Sequence, residues 1–183
     1  MQDKVLVPLA PGFEEIEAVT ILDVLRRAEI PVVAAGLTPG PVRGAHDITF
    51  EPDASLDDVD AGELAMIVLP GGLPGATNLL EDERIGKIVR ELHASGRHVA
   101  AICAAPMVLG AAGVLDGVPA TCYPGFEDRL GDAIRSEERV VRADRVLTSR
   151  GPGTALEFAL AIVETLRGSG PASALREGML VRA

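Results

Sequence analysis

A chain of 183 residues, 48% hydrophobic and 24% charged, suits one domain large enough to bury a core without staples. The formal net charge of -10 repels phosphate backbones and anionic membranes, which argues against nucleic acid or a membrane surface as partner. Two cysteines, Cys103 and Cys122, are too few for a disulfide framework and set the expectation at a reducing cytoplasm.

Aromatic residues make up only 3% and Trp is absent, so the core must be built from Ala, Val, Leu and Ile. The apolar run from Val5 to Ala10 is too short for a signal segment and lacks its basic flank. It reads instead as a buried strand, broken at Ala10-Pro11-Gly12. A helix follows from about Glu14 to Ala28, with acidic residues in its first turn. Ile30 to Ala35 is a second strand, and Val42 to Phe50 a small hairpin. Ala65 to Leu69 is a continuous apolar run ending at Pro70-Gly71-Gly72, as expected of a central parallel strand buried on both faces. Arg84 to Ser95 is helical, Val99 to Cys103 is another buried strand, and Pro106 to Ala112 is a helix. Short strands are expected at Ala120-Cys122, Val140-Arg142 and Val146-Thr148. Helices at Pro152 to Arg167 and Ala172 to Gly178 end the chain.

Strands alternating with helices imply an α/β parallel sheet with right-handed crossovers. In such sheets the ligand site lies beyond the carboxyl ends of the strands. Pro11-Gly12, Pro70-Gly71-Gly72 and Cys103 should therefore converge on one edge.

Cys103 ends a strand, and a helix starts three residues later. The small residues Ala101 and Ala105 permit a sharp nucleophile elbow, and Pro106 fits a first helical turn. A thiol at a helix N-terminus is expected to have a lowered pKa. The N–H of Ala104 and one from Gly71-Gly72 are placed to cradle an oxyanion. Against this stands an inert buried Cys in a tight turn; the elbow and the facing Gly-Gly loop favour the reactive reading.

Glu17 shares a helical stripe with Ile21 and Val24. A carboxyl on an apolar stripe should have a raised pKa and can serve as general acid and base beside the thiol. Glu14 and Glu15 read as solvated first-turn acids, and the same reading stands as the alternative for Glu17. No histidine is well placed to assist Cys103. His98 begins the strand that Cys103 ends, roughly 16 Å away at ~3.3 Å per residue. His93 lies on the preceding helix, and His46 reads as a surface residue of the hairpin, with approach to Cys103 from a neighbouring subunit as the other reading. Metal-ligand spacing and a dinucleotide fingerprint are both absent, so no metal and no cofactor are expected. Arg150-Gly151-Pro152-Gly153-Thr154 reads as helix initiation, with anion binding as the other reading.

Four stretches resemble the DJ-1/PfpI superfamily, in its Parkinsonism-associated deglycase branch. They are Gly12-Phe13-Glu14-Glu15-Ile16-Glu17, Leu69-Pro70-Gly71-Gly72, Ala101-Ile102-Cys103-Ala104-Ala105-Pro106, and Thr148-Ser149-Arg150-Gly151-Pro152-Gly153-Thr154-Ala155. The resemblance implies a single flavodoxin-like (Rossmann-like) domain over residues 1–183 and a homodimer. It makes Cys103 an easily oxidised nucleophile, Glu17 its protonated partner, and Gly71, Gly72 and Ala104 backbone donors. Family members often carry a His near the Cys; here Tyr123 stands at the matching place, which leaves Glu17 as the acid–base group. Tyr123, Arg150, Pro152 and Cys122 are accessory candidates.

The first functional reading is a cofactor-free glyoxalase or protein deglycase, acting on methylglyoxal-type dicarbonyls or their early adducts on glycated proteins. The second is an oxidative-stress sensor or redox-regulated chaperone, with Cys122 as either a resolving thiol or a buried structural residue. A Cys-His-Glu glutaminase or peptidase comes third, for want of a His. A response-regulator phosphoacceptor is excluded, because neither the first strand nor the third ends in aspartate.

Overall fold

The apolar run after the N-terminus forms β1 (Lys4–Leu9), and α1 (Glu15–Arg27) follows it. Next come β2 (Val32–Gly36), a small hairpin of β3 (Val42–Arg43) and β4 (Thr49–Phe50), and the short β5 (Ala54–Ser55). The middle of the chain holds β6 (Leu64–Leu69), α2 (Gly75–Glu81), α3 (Glu83–Ala94), β7 (His98–Ile102) and α4 (Pro106–Ala111). The last third holds β8 (Pro119–Ala120), β9 (Ile134–Arg135), β10 (Val140–Ala143), β11 (Val146–Ser149), α5 (Ala155–Arg167) and α6 (Ser169–Gly178). These elements are those of a computed structural model that describes residues 4–181.

Seven strands form one sheet in the order β10-β11-β7-β6-β1-β2-β5, parallel except for the antiparallel β10–β11 pair. Helices cover both faces, and strand side chains alternate between them. Val5, Val7, Leu9, Met66, Val68, Ala100 and Ile102 share one core with α1 and α5 residues such as Ile21, Leu25, Phe158 and Ile162. Leu6, Ile67, Leu69, Val99 and Ala101 share the other with α3 and α4 residues such as Ile85, Val89, Leu92 and Leu109. The central strands β1, β6 and β7 are apolar at every position except the entry residues Lys4 and His98, because both of their faces are buried. This is the expected flavodoxin-like sheet sandwiched by helices. Among the described residues no helix is long and apolar enough to cross a membrane.

The departures from expectation are local. The strand read as Val99 to Cys103 stops at Ile102, because Cys103 turns into the left-handed region at φ 64. The strand read as Ala120 to Cys122 stops at Ala120. There the Thr121 N–H donates to Thr148 Oγ1, and the Tyr123 N–H to the Cys103 carbonyl. The helix α2 is an addition to the expected elements, since Pro74 stands at its N-cap and gives no side-chain start signal. The long helix read from Pro152 begins as a 3-10 turn, Pro152–Thr154, before α5.

Candidate active site

β7, β6 and β1 are neighbours in the sheet, so the loops after their carboxyl ends meet. Cys103 occupies the elbow between β7 and α4, with Pro106 in the first turn of α4. A left-handed non-glycine residue costs roughly 1–2 kcal/mol, so the surroundings must impose it. They do so from both sides. The Cys103 N–H donates to the Ser149 carbonyl at 3.0 Å, and its own carbonyl accepts the Tyr123 N–H at 2.8 Å. The side chain is buried, with 8% of the residue exposed.

Glu17 lies in the first turn of α1 and is 0% exposed, on the same buried face as Ile21 and Val24. Its Oε2 accepts the Gly71 N–H at 2.8 Å, while its buried Oε1 has no hydrogen-bond partner among the described residues. Gly71 is what allows the two groups to meet. A β-carbon there would stand 2.5 Å from Cys103 Cβ and 2.7 Å from Glu17 Oε2, distances no real side chain tolerates. Burial raises the Glu17 carboxyl to about 7; the Gly71 N–H and Cys103 oppose that rise, and the Glu14 charge adds to it. A carboxyl raised from its ordinary value, the direction expected of Glu17, thus lies beside the thiol.

The thiol itself corrects an expectation. Instead of being lowered by the helix N-terminus, the Cys103 pKa is pushed up to about 12 by burial and by the Glu17 carboxylate. The N–H groups of Gly72 and Ala104 act in the other direction, favouring thiolate. The two acids therefore compete for one negative charge, and the pair titrates as a unit. When Glu17 holds the proton, its charge no longer opposes the thiolate. Of the three backbone donors expected around the sulfur, those of Gly72 and Ala104 act to favour its charge, whereas the Gly71 N–H is occupied by Glu17.

The accessory candidates divide. Tyr123 is exposed; its backbone fixes Cys103, and its ring packs against Gly151, where a β-carbon would stand 3.1 Å away. Cys122 and Arg150 line a separate small cavity of about 210 Å³, together with Glu127 and Arg135. Burial raises the Cys122 pKa to about 11, with the Glu127 charge adding to the rise. Pro152 opens the turn before α5 and contributes no side-chain donor to the pair.

Sequence reading missed the acids next to Glu17. Glu14 and Glu15, read as solvated, are both buried. Glu14 is the N-cap of α1, its carboxylate accepting the Glu17 N–H at 2.7 Å. Starting the helix one residue later would have exposed that role, since an acidic N-cap faces back to the first-turn N–H groups. Glu15 accepts from the backbone and ring of His46, which is a surface residue as expected but tied to this carboxylate.

Comparison with known proteins agrees with this geometry. The DJ-1/PfpI family model matches residues 3–165. Protein dj-1beta of Drosophila melanogaster is 42% identical over 184 residues, covering 99% of this chain and 98% of that protein. The glutathione-independent glyoxalase DJR-1.2 of Caenorhabditis elegans is 41% identical over 170 residues, covering 91% of this chain and 90% of that protein. The solved structure of oxidized Toxoplasma gondii DJ-1 superposes with a TM-score of 0.94 at 37% identity, covering 98% of this chain and 99% of that one. With its elbow cysteine, its buried first-turn glutamate and its sheet order in place, the chain belongs to the DJ-1/PfpI family.

Proposed function

We propose that this chain converts methylglyoxal-type dicarbonyls, free or as early adducts on proteins, through Cys103 and Glu17 and without a cofactor. The observation that carries this reading is the buried Glu17 carboxyl, poised at about 7, facing a thiol across Gly71. A relative described as a glutathione-independent glyoxalase supports it.

The Cys103 sulfur adds to the aldehyde carbon, forming a C–S bond, while the thiol proton passes by way of Glu17 to the carbonyl oxygen. The product is a hemithioacetal. The Glu17 carboxylate then takes the hydrogen of that carbon as a proton and returns it to the neighbouring carbon, while the hydroxyl proton passes from the first oxygen to the second, giving the thioester of a 2-hydroxy acid. Water attacks the thioester carbon, the C–S bond breaks, the sulfur regains its proton and lactate leaves. One carbon is oxidised and its neighbour reduced, so no outside oxidant is needed. The N–H groups of Gly72 and Ala104 support the negative charge on sulfur and on the adjoining oxygen.

Lactate release from methylglyoxal by the purified chain tests the reading. Wild type should form lactate, Cys103→Ser should form none, and Glu17→Gln should lose most of the rate. Equal rates for wild type and Cys103→Ser would sink it.

A second reading rests on the donors around the sulfur. The N–H groups of Gly72 and Ala104, which favour negative charge on the sulfur, would hold the oxygens of an oxidised Cys103 in a redox sensor, and the Toxoplasma relative is described as oxidized. Here peroxide is the oxidant, each equivalent adding one oxygen to sulfur and leaving as water. Mass spectrometry after mild peroxide should then place oxygen on Cys103 first; oxygen elsewhere with none on Cys103 would end this reading.

A further inference from the structure

Two backbone hydrogen bonds impose the left-handed φ of 64 on Cys103: its N–H donates to the Ser149 carbonyl at 3.0 Å, and its carbonyl accepts the Tyr123 N–H at 2.8 Å. Ser149 ends β11 opposite Ile102, so its carbonyl catches the chain one residue past the end of β7. Behind that carbonyl lies a pair of hydroxyls. Ser149 is 0% exposed, and Thr154, at the entry to α5, is 5% exposed. Their side-chain oxygens stand 2.6 Å apart. Two buried hydroxyls in such contact require a definite order of protons.

The neighbours fix that order. The Ser149 hydroxyl lies 2.7 Å from the Arg139 carbonyl, which can only accept, so its one proton goes there. Thr154 is then the donor to Ser149 Oγ. The Gly151 carbonyl, 2.9 Å from the Thr154 hydroxyl, already accepts the Thr154 N–H at 2.8 Å. Thr154 Oγ1 in turn accepts the Gly151 N–H at 3.1 Å. The result is a one-way chain from the Gly151 N–H through Thr154 and Ser149 to the Arg139 carbonyl, and aligned hydrogen bonds strengthen one another in a dry interior. A plain helix-entry turn accounts for the contacts between Gly151 and Thr154, but not for the link onward to Ser149 and Arg139. Both restraints on the elbow meet this chain. Ser149 holds the Cys103 N–H directly, and the ring of Tyr123, whose N–H holds the Cys103 carbonyl, packs against Gly151.

We infer that Thr154 is a positioning residue for Cys103, acting through the Ser149 hydroxyl and the Gly151 backbone to hold the sulfur in place beside Glu17. The role belongs to the hydroxyl rather than to side-chain bulk, because valine has nearly the shape of threonine and can neither accept from Gly151 nor donate to Ser149. With the chain cut, Ser149 Oγ and the Gly151 N–H lose their partner and the elbow relaxes. The sulfur then drifts from the Gly72 and Ala104 N–H groups that favour its charge, and Cys103 ionises only at higher pH. The inference rests on the dicarbonyl reading for its turnover readout alone; the state of the thiol is read independently.

The test compares wild type, Thr154→Val, Thr154→Ser and Ser149→Ala, each checked for folding by circular dichroism. The first readout is the pH dependence of iodoacetamide alkylation at Cys103, resolved from Cys122 by mass spectrometry. Thr154→Val and Ser149→Ala should move its limb to higher pH, and Thr154→Ser, which restores the hydroxyl, should return it to the wild-type position. The second readout is methylglyoxal turnover, in which the two chain-breaking variants should lower kcat at least about tenfold with KM little changed, as displaced reacting groups do. The inference is overturned by a limb unmoved or displaced to lower pH in Thr154→Val, by Thr154→Ser behaving like Thr154→Val, or by an unchanged kcat where wild type forms lactate. Should Thr154→Val fail to fold, Ser149→Ala decides by the same criteria. A wild type that forms no lactate ends the dicarbonyl reading and leaves the alkylation comparison to decide the role of Thr154.

Discussion

Glu17 and Cys103 face each other across Gly71, whose N–H holds Glu17 Oε2 at 2.8 Å and whose missing side chain leaves room for the Cys103 β-carbon. Three segments far apart in the chain, after β1, β6 and β7, supply these three residues. The parallel sheet brings them to one edge, which is how residues distant in sequence come to form an acid–base pair.

Gly71→Ala should disable the pair while leaving the sheet intact. The new methyl would meet Cys103 Cβ at 2.5 Å, and the forced shift should cost about 1–3 kcal/mol of stability. Misplacing reacting groups by about 1 Å lowers turnover roughly a hundredfold. Lactate formation and denaturant unfolding measure the two effects; full activity in Gly71→Ala would refute the packing argument.

Glu17 should also leave a mark on stability. Its folded pKa, about 7, lies above the ordinary 4.5, so the folded state keeps a proton that the unfolded chain releases. The protonated acid's contribution is full below about pH 4.5 and declines as pH rises to about 7, by an amount of order 3 kcal/mol. Unfolding of Cys103→Ser and Cys103→Ser/Glu17→Gln at pH 4 and pH 8 isolates the carboxyl from the thiol. The single variant, which keeps Glu17, should lose ground to the double variant on going to pH 8; a constant difference would contradict a raised pKa.

Thr148→Val tests the support beneath the elbow. Thr148 is fully buried, and its Oγ1 accepts the Thr121 N–H at 2.9 Å, two residues before the Tyr123 N–H that holds Cys103. Removing the hydroxyl leaves a buried donor unsatisfied, at a cost of about 1–3 kcal/mol. Denaturant midpoints measure it. A change within about 0.5 kcal/mol would place this contact with ordinary surface positions.

Much of this arrangement is legible in the sequence, and the reasons differ by residue. Continuous apolar runs such as Leu64–Leu69 reveal buried parallel strands, and breakers at Pro11-Gly12 and Pro70-Gly71-Gly72 mark where they end. Glu17 is legible because its stripe partners, Ile21 and Val24, are apolar. The direction of the Cys103 pKa is not, since it depends on how completely the sheet and Glu17 surround the sulfur. Burial of Glu14 and Glu15 is hidden for the same reason: it depends on the hairpin folding over the start of α1, a contact no local pattern encodes. The helix α2 escapes because Pro74 caps it without a side-chain hydrogen bond.

The central claim is that Cys103 and Glu17 ionise as one unit in dicarbonyl turnover, and the pH dependence of kcat/KM for methylglyoxal tests it most directly. The active form has lost the first of the pair's two protons, so wild-type kcat/KM should rise with pH along a one-proton limb centred near 7, the value at which Glu17 is held. In Glu17→Gln the buried thiol must ionise alone, and any residual activity should show its limb displaced to higher pH. A wild-type profile with no limb between about pH 5.5 and 8.5, or a limb unmoved by Glu17→Gln, would contradict the account.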